Sequence, residues 1–189
     1  MQKFFIFILP LFIFTNDFTL KKEKDGIKVW LKNENKFYRF KVQMHIFKSA
    51  VEIEKVLQDY SAYTTWNPKL KEIKVLKKTE NQTILYMRFS SPWPFEDRDQ
   101  VVSVTKEIVN LNSIFYLIKS DTYKVDLVKN VVRINQVEGF WHLEKLQNNS
   151  LQITQEIYSD PKVNLPKIFA QNNIVNLSLK SFQNLKNRL

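Results

Sequence analysis

One short stretch, residues 91–101, constrains the fold of this chain more than any other. It reads Ser-Pro-Trp-Pro-Phe-Glu-Asp-Arg-Asp-Gln-Val and separates two segments that have the composition of β-strands. Its two prolines fix φ and remove two backbone donors, so neither strand can continue through it. Asp97 and Asp99 bracket Arg98, and we expect both carboxylates to bind that cation. The stretch therefore predicts a corner that turns one strand into the next.

The same corner has a structural and a chemical interpretation. Asp97 and Asp99 could form a carboxylate pair for acid–base catalysis. A cation between them would instead keep both ionised, which favours a structural role. Trp93 and Phe95 are large apolar groups in the same turn, and we expect them to pack at the corner rather than to contact a ligand. On this interpretation, replacing Arg98 by alanine lowers stability more than it changes the affinity for a ligand.

The order of the predicted elements indicates an α+β fold. A turn at Asp25-Gly26 precedes a short strand, and residues 37–47 alternate between apolar and polar side chains, which predicts a second strand. Ser49 and Glu52 form a capping box that opens a helix, and this helix should end before Pro68. Further strands are predicted over 71–78, 83–90, 99–109, 113–120, 131–145 and 150–158. Their connections are too short for helical crossovers, so we expect antiparallel pairing.

A long helix is predicted at the end of the chain. It follows a linker over 159–166 that contains two prolines, and its apolar residues fall within roughly half of a helical wheel. These residues are Leu165, Ile168, Ile174, Val175, Leu179, Phe182, Leu185 and Leu189. So wide an apolar face needs broad cover from a sheet. The pattern predicts one domain over 20–189, in which a curved antiparallel sheet packs around the last helix.

Composition and charge exclude several classes of site. The chain has two glycines, two histidines and no cysteine, so it lacks Gly-rich phosphate loops, disulfides and Cys-based zinc sites. His45 falls on the polar face of its strand and should be solvated; we expect no metal and no cofactor. The net charge of +10 favours an anionic membrane surface or nucleic acid. Because the lysines are dispersed, we expect transient membrane contact, no nucleic-acid partner and a monomer.

Residues 1–19 have the features of a signal peptide. Lys3 precedes an apolar run over 4–14, which is shorter than the ~20 residues that a bilayer span needs but fits the central region of a signal. The alternatives are a buried strand or an uncleaved interfacial anchor. If the segment is cleaved, we expect an exported protein, periplasmic or extracellular.

A set of short motifs resembles, in the same order, the START family of lipid-transfer domains within the helix-grip group. The motifs are 25–30, Asp59 with 66–68, 92–95 with 97–99, 139–143, and 159–161 with 165–166. They extend over residues 25–189, and the Trp-Pro-Phe-x-Asp-Arg-Asp run is the most specific of them. The resemblance, to a bacterial exported single-domain member, implies a helix-grip fold with an internal hydrophobic cavity. That cavity would hold one hydrophobic molecule, such as a lipid or sterol, between the sheet and the last helix.

The resemblance also implies which side chains face the cavity. They are Leu85, Met87, Phe89, Val101, Ser103, Thr105, Trp141, Phe169, Val175 and Leu179. Better-known sterol-binding members carry an acid–base pair at the positions that match Met87 and Thr105, so this cavity should be more apolar. Separately, the loop over 121–130 contains apolar residues that could dip into a membrane or gate the cavity against the start of the last helix at 166–169; ordinary loop packing is the alternative.

The leading hypothesis is therefore a non-enzymatic lipid-binding or lipid-carrier protein that holds one hydrophobic ligand in this cavity. The alternative is a cyclase- or hydrolase-like enzyme of the same helix-grip group, which would use the cavity as its active site. Such an enzyme needs a titratable group inside the cavity, and Glu107 and His142 are the candidates in this sequence.

Overall fold

The curved sheet predicted around a C-terminal helix is present in the computed structural model, which describes residues 17–35, 37–147, 150–162 and 167–189. The strands are β1 (Thr19–Lys24), β2 (Ile27–Glu34), β3 (Phe37–Ile46), β4 (Leu70–Lys78), β5 (Gln82–Phe89), β6 (Asp97–Asn110), β7 (Ser113–Ser120), β8 (Val131–Ile134), β9 (Val137–Lys145) and β10 (Leu151–Ser159). The helices are α1 (Ala50–Gln58), a 3₁₀ turn (Tyr60–Ala62), α2 (Tyr63–Trp66) and α3 (Lys167–Arg188). The α+β helix-grip prediction is confirmed.

Nine of the described strands form the sheet in the order β1-β2-β3-β10-β9-β7-β6-β5-β4, and each is antiparallel to its neighbours. The exception to the predicted pairing is β8, which runs parallel to β6 from Asp97↔Val131 to Gln100↔Ile134. The single strand predicted over 131–145 is therefore wrong. Pairing of β7 with β6 begins only at Val102, so the first residues of β6 have a free edge that β8 occupies.

The first strand was not predicted. The structure pairs β1 with β2, and Thr19, at the predicted end of the signal peptide, is the first residue of β1. Residues 1–16 of that predicted segment lie outside the described residues, so the signal peptide stays a prediction. No helix in the described ranges is long and apolar enough to cross a membrane.

The capping box at the start of α1 is confirmed. The Ser49 hydroxyl accepts a hydrogen bond from the Glu52 N–H at 3.3 Å, and the Glu52 carboxylate accepts one from the Ser49 N–H at 2.9 Å. Hydrogen bonds that the Glu52 carboxylate accepts from the Ser49 N–H and the Ser49 hydroxyl, together with one from Lys48, lower the pKa of Glu52 to about 2. The cap fixes where the chain leaves β3 and begins to cross the open side of the sheet.

The core lies where α3 packs against β2 and β3. Phe182 and Leu185 are fully buried, and the Phe182 ring stacks on Trp141 with centroids 5.5 Å apart. Each such side chain contributes about 1.5–3 kcal/mol by burial. The apolar face predicted for α3 is not buried along its whole length, because Ile168 in the first turn is 72% exposed. Leu165 of that face lies outside the described residues.

The glycine of the Gly-Phe-Trp-His-Leu motif is required by a close approach between strands. A β-carbon at Gly139 would overlap the carbonyl oxygen of Glu156 on β10. Glycine is the residue that permits such contact. Two residues further along β9, Trp141 points to the same face of the strand and is buried. The motif therefore combines a tight strand pairing with a large inward side chain.

Candidate ligand-binding cavity

A cavity of about 570 Å³ lies between the inner face of the sheet, the segment from α1 to α2, and α3. Ligand sites for small molecules commonly have volumes of about 300–1,000 Å³. Most of its wall is apolar: Phe40, Leu57, Leu85, Met87, Phe89, Val102, Val104, Ile118, Ile134, Val137, Trp141, Ile157, Phe169, Ile174 and Leu177. Tyr60, Tyr63, Trp66 and Tyr116 add aromatic surface. The fold therefore leaves a space suited to an apolar molecule.

Five of the residues predicted for the cavity lie on its wall. Leu85, Met87 and Phe89 alternate along β5, Trp141 comes from β9, and Phe169 from the first turn of α3. Phe169 is 46% exposed, which places it at the mouth of the cavity. That these side chains contact a ligand stays a prediction.

The face predicted for β6 is wrong by one residue. Val101 packs with Ile84 and Tyr86 in a separate cluster on the outer face of the sheet. Ser103 and Thr105 share that outer face. The wall is formed instead by Arg98, Gln100, Val102 and Val104.

The register between β5 and β6 gives the reason. Cross-strand partners share a face, and β6 pairs Val102 with Leu85, Gln100 with Met87, and Arg98 with Phe89. Since side chains alternate along a strand, an error of one residue exchanges the two faces.

Two predicted residues of α3 are also placed differently. Val175 and Leu179 are buried in the core rather than on the cavity wall. The wall contributed by α3 consists of Phe169, Asn173, Ile174, Leu177, Ser178 and Ser181. The apolar face of α3 is wide enough to serve two surfaces: one side packs against β2 and β3, and the other faces the cavity.

The charged corner is built differently from the prediction. Asp97 accepts hydrogen bonds from Lys71 and Arg88, each at 2.9 Å, rather than from Arg98. Burial opposes ionisation of Asp97, but the bonds from Lys71, the Ser91 N–H and Arg88 outweigh it and hold its pKa below the ordinary value. The pairing expected between Asp97 and Arg98 is therefore wrong.

The second carboxylate of the corner has a different cation as well. Asp99 is 1% exposed and is bound by both Nε and Nη2 of Arg133 on β8, at 2.6 and 3.0 Å. These bonds raise the pKa of Arg133. Asp97 and Asp99 lie on the outer face, away from the cavity, which gives them structural partners and no access to a ligand.

Arg98 points the other way, onto the cavity wall. Its Nε donates to the Pro161 carbonyl oxygen at 3.3 Å, and its Nη1 donates to the Ser91 hydroxyl at 3.2 Å and to the Glu96 carbonyl oxygen. Trp93 does not pack at the corner as predicted, because it is 93% exposed. The corner thus presents an arginine inward and a tryptophan outward.

Neither residue proposed for an enzymatic alternative reaches the cavity. Glu107 is exposed near the end of β6, and His142 stacks on Phe115 at 4.0 Å, on the face of β9 opposite Trp141. Burial lowers the pKa of His142. Among the described residues of the wall there is no Asp, Glu or His. Within the same ranges, no group of three acidic or histidine side chains could hold a metal ion.

One polar cluster beside the cavity was not predicted. The Tyr116 hydroxyl donates to the Glu54 carboxylate and accepts from Gln58 Nε2 at 2.9 Å, and Lys106 Nζ lies 2.5 Å from Glu54 Oε1. Burial and the bond to Glu54 raise the pKa of Tyr116. The cluster ties α1 to β6 and β7 and closes one side of the cavity. Lys106 and Val104 share the inner face of β6, so assigning that face correctly from the sequence would have indicated the polar cluster.

The loop predicted as a gate lies on the other side of the sheet. Val125 packs against the outer cluster around Tyr86, and Arg133 donates to the carbonyl oxygens of Val125 and Asp126. The loop over 121–130 thus crosses the outer face of β5 and β6, which is ordinary loop packing. Because the loop lies on the outer face, away from the cavity, its predicted role as a gate is wrong.

Comparison with known proteins agrees with the fold. Residues 55–174, more than half of the chain, match the profile of the family described as polyketide cyclase/dehydrase and lipid transport. An uncharacterized protein of Pseudomonas aeruginosa is 24% identical over 172 residues, which cover 90% of this chain and 85% of that protein.

Solved structures give the same result. A STAR-related lipid transfer protein from Xanthomonas axonopodis superposes with a TM-score of 0.81 at 25% identity, covering 92% of this chain and 98% of the other. Human StAR-related lipid transfer protein 5 superposes with a TM-score of 0.78 at 13% identity, covering 92% and 86%. The chain belongs to the polyketide cyclase/dehydrase and lipid transport family, and its fold is that of the START-related lipid-transfer domains.

Proposed function

We propose that this protein binds one lipid-sized hydrophobic molecule in the cavity and transfers it between membranes without altering it chemically. The observation that carries the proposal is a large apolar cavity whose described wall offers no carboxylate or imidazole for proton transfer. Each buried methylene contributes about 0.8 kcal/mol, so a chain of about ten gains roughly 8 kcal/mol before the cost of association. That is sufficient for reversible binding.

Exposed apolar side chains near the mouth support docking on a membrane. Pro92 and Phe169 both line the cavity, and their neighbours Trp93 and Ile168 are 93% and 72% exposed. Exposed aromatic and aliphatic groups insert readily at a bilayer interface. The net charge of +10 favours anionic lipids over neutral ones. Export through residues 1–19 remains part of the proposal and rests on the sequence pattern alone.

A cyclase-like enzyme is the second candidate, because the matched family includes polyketide cyclases by its description. It predicts turnover of a bound molecule, whereas a carrier returns its ligand unchanged. Arg98, Lys69 and the tyrosines of the wall are the ionisable groups that such an enzyme would have available among the described residues.

The deciding experiment combines native mass spectrometry with a transfer assay. We expect gently purified protein to carry one co-purified lipid-sized molecule, to release it unchanged on extraction, and to move fluorescent lipid between anionic vesicles. Recovery of a chemically altered molecule after incubation would favour the enzyme. Protein that is ligand-free and takes up no fluorescent lipid would refute the carrier.

A further inference from the structure

We propose that Arg98 binds the head group of the ligand, so that the cavity selects amphiphiles with an anionic head, either a carboxylate or a phosphate. This inference rests on the proposed function, because it specifies the chemistry of the molecule that the cavity holds. It follows from the charge pairing of the arginines, from the donors that remain unused on the wall, and from the position of Arg98 near the mouth.

Arg98 differs from every other arginine in its partners. The sequence contains five arginines, and four of them form ion pairs: Arg39 with Glu34, Glu138 and Glu156, Arg88 with Asp97, Arg133 with Asp99, and Arg188 with Asp59. Among the described residues Arg98 has no carboxylate within ion-pair distance; its three partners are neutral oxygens of Pro161, Ser91 and Glu96. The parts of the chain outside the described ranges contain no Asp or Glu. The protein therefore supplies no counter-ion for this cation.

The guanidinium also keeps hydrogen-bonding capacity. Its Nε and Nη1 are used, but Nη2 donates to none of the described residues, which leaves two N–H groups in a planar group that favours carboxylate and phosphate. A second unused donor lies on the same wall: the indole Nε1 of Trp66 is buried without a partner among the described residues, and Trp66 is 3% exposed. A buried donor without an acceptor is costly, as for the Trp66 indole N–H, and the partly buried Arg98 has two further N–H groups to donate, so both favour a ligand rich in acceptor oxygens.

The remaining charge on the wall has the same sign. Lys69 is the other ionisable cation among the described wall residues, and it too forms no ion pair in those ranges. The wall beside Arg98 includes apolar Phe89, its cross-strand partner on β5, and Val102, four residues further along β6. Arg98 bonds to Ser91 and Pro161, and the wall residues Pro92 and Phe169, which follow these two in the chain, are exposed. An anionic head bound near this exposed part of the wall would place its tail toward the interior of the cavity.

Four amphiphiles with one 16-carbon tail test the proposal: hexadecanoate, hexadecyl phosphate, hexadecanol and hexadecylamine. Each is titrated against the full chain carrying Nile red, and displacement is followed by fluorescence. We expect both anions to displace the dye at concentrations about tenfold or more below hexadecanol, and the amine to be weakest, because charge-assisted hydrogen bonds discriminate at that level. A difference between the two anions identifies which head group the site prefers.

Variants then assign the preference to one residue. Arg98→Gln should reduce the anion preference to about twofold, with a much smaller change for hexadecanol than for the two anions, and Arg98→Lys should retain part of the preference. Arg88→Gln is the matched control, because it removes the same charge from the outer face of the adjacent strand. It should keep the full preference.

The outcomes separate the two proposals. Hexadecanol binding without anion preference, or an Arg98→Gln protein that keeps the tenfold preference, overturns the Arg98 site and leaves the carrier function standing. Failure of the wild-type chain to bind Nile red and all four amphiphiles overturns both. If Arg98→Gln does not fold, the wild-type series and Arg98→Lys still decide the question.

Discussion

The two faces of β6 differ in how their charged side chains are compensated. On the outer face, Asp97 and Asp99 are each held by cations from neighbouring strands. On the inner face, Lys106 is paired with Glu54, but Arg98 meets only neutral oxygens among the described residues. The outer charges are therefore arranged for stability. Arg98, on the inner face, remains available for a ligand. The same strand therefore has structural charges on one face and a candidate ligand-binding charge on the other.

The largest expected effect comes from breaking the outer pair. Asp99→Asn removes the carboxylate that binds the partly buried Arg133, and should lower the free energy of unfolding by about 3 kcal/mol. Arg98→Gln should cost only about 1 kcal/mol, because it loses hydrogen bonds to neutral groups. Urea denaturation measures both. Equal losses would show that Arg98 is as structural as Asp99, as the sequence alone suggested.

The second-largest expected effect on stability comes from the ion pair between Glu54 and Lys106 on the inner face. Glu54→Gln removes the carboxylate shared by Tyr116 and Lys106 and should cost about 1–3 kcal/mol. Hydrogen exchange should show the loss first in α1, which the cluster ties to the sheet. A Glu54→Gln protein as stable as the wild type would mean that the cluster does not secure α1.

A bulky residue placed on either face tests which one lines the cavity. Val104→Trp adds volume inside the cavity and should weaken uptake of a fluorescent lipid about tenfold or more. Ser103→Trp, one residue earlier, places the same side chain on the outer face and should leave uptake within about twofold. Circular dichroism verifies folding of both. If Ser103→Trp weakened uptake more than Val104→Trp, the face of β6 that carries Ser103 would line the cavity, as the sequence predicts.

The smallest effect is on the pH dependence of stability. The pKa of Asp97 is below its ordinary value of about 3.9, so its contribution is complete above that pH and is lost as the pH falls through the folded-state pKa. Wild-type stability should therefore fall on acidification below about pH 4, and less steeply in Asp97→Asn. Unfolding curves measured between about pH 5 and 2.5 compare the two slopes. Identical slopes would mean that Asp97 is not held ionised by its partners.

The sequence predicted the strands and helices well because their patterns are local. The alternation over 37–47 and the Ser49–Glu52 box each depend on neighbouring residues only. The phase of β6 could not be predicted, because both of its faces are buried: Val101 and Val102 are 4% and 1% exposed. In such a strand both faces carry apolar residues, so their positions do not distinguish the inner face from the outer one.

The charged corner was misjudged for a related reason. Adjacent residues in a strand point to opposite faces, so Arg98 cannot reach carboxylates on both sides of it. Its true neighbours, Ser91 and Pro161, and the true partner of Asp99 on β8 depend on tertiary pairing. The sequence contains no signal that the four residues of β8, which follow a ten-residue loop, pair in parallel with β6. Proximity along the chain was therefore a poor guide to ion pairing here.

The helix α3 is attached unevenly along its length. Near its C-terminus, Asn184 donates to the Trp66 carbonyl oxygen at 3.1 Å, Lys186 to that of Asp25 at 2.8 Å, and Arg188 to the carboxylate of Asp59 at 3.1 Å. The described side chains of residues 168–175 form no hydrogen bond to another element. That end of the helix is held by apolar contacts, such as those of Ala170 and Ile174.

This asymmetry bears on the work needed to admit a ligand. Displacing residues 168–175 of α3 breaks apolar contacts but no side-chain hydrogen bond to another described element. Acyl chains of a bilayer can replace contacts of that kind, whereas they cannot replace a broken hydrogen bond. On the proposed function, a membrane would therefore lower the cost of opening the cavity at the moment of docking. In water the same apolar surface would favour closure, so the surroundings themselves would decide when the cargo is exchanged.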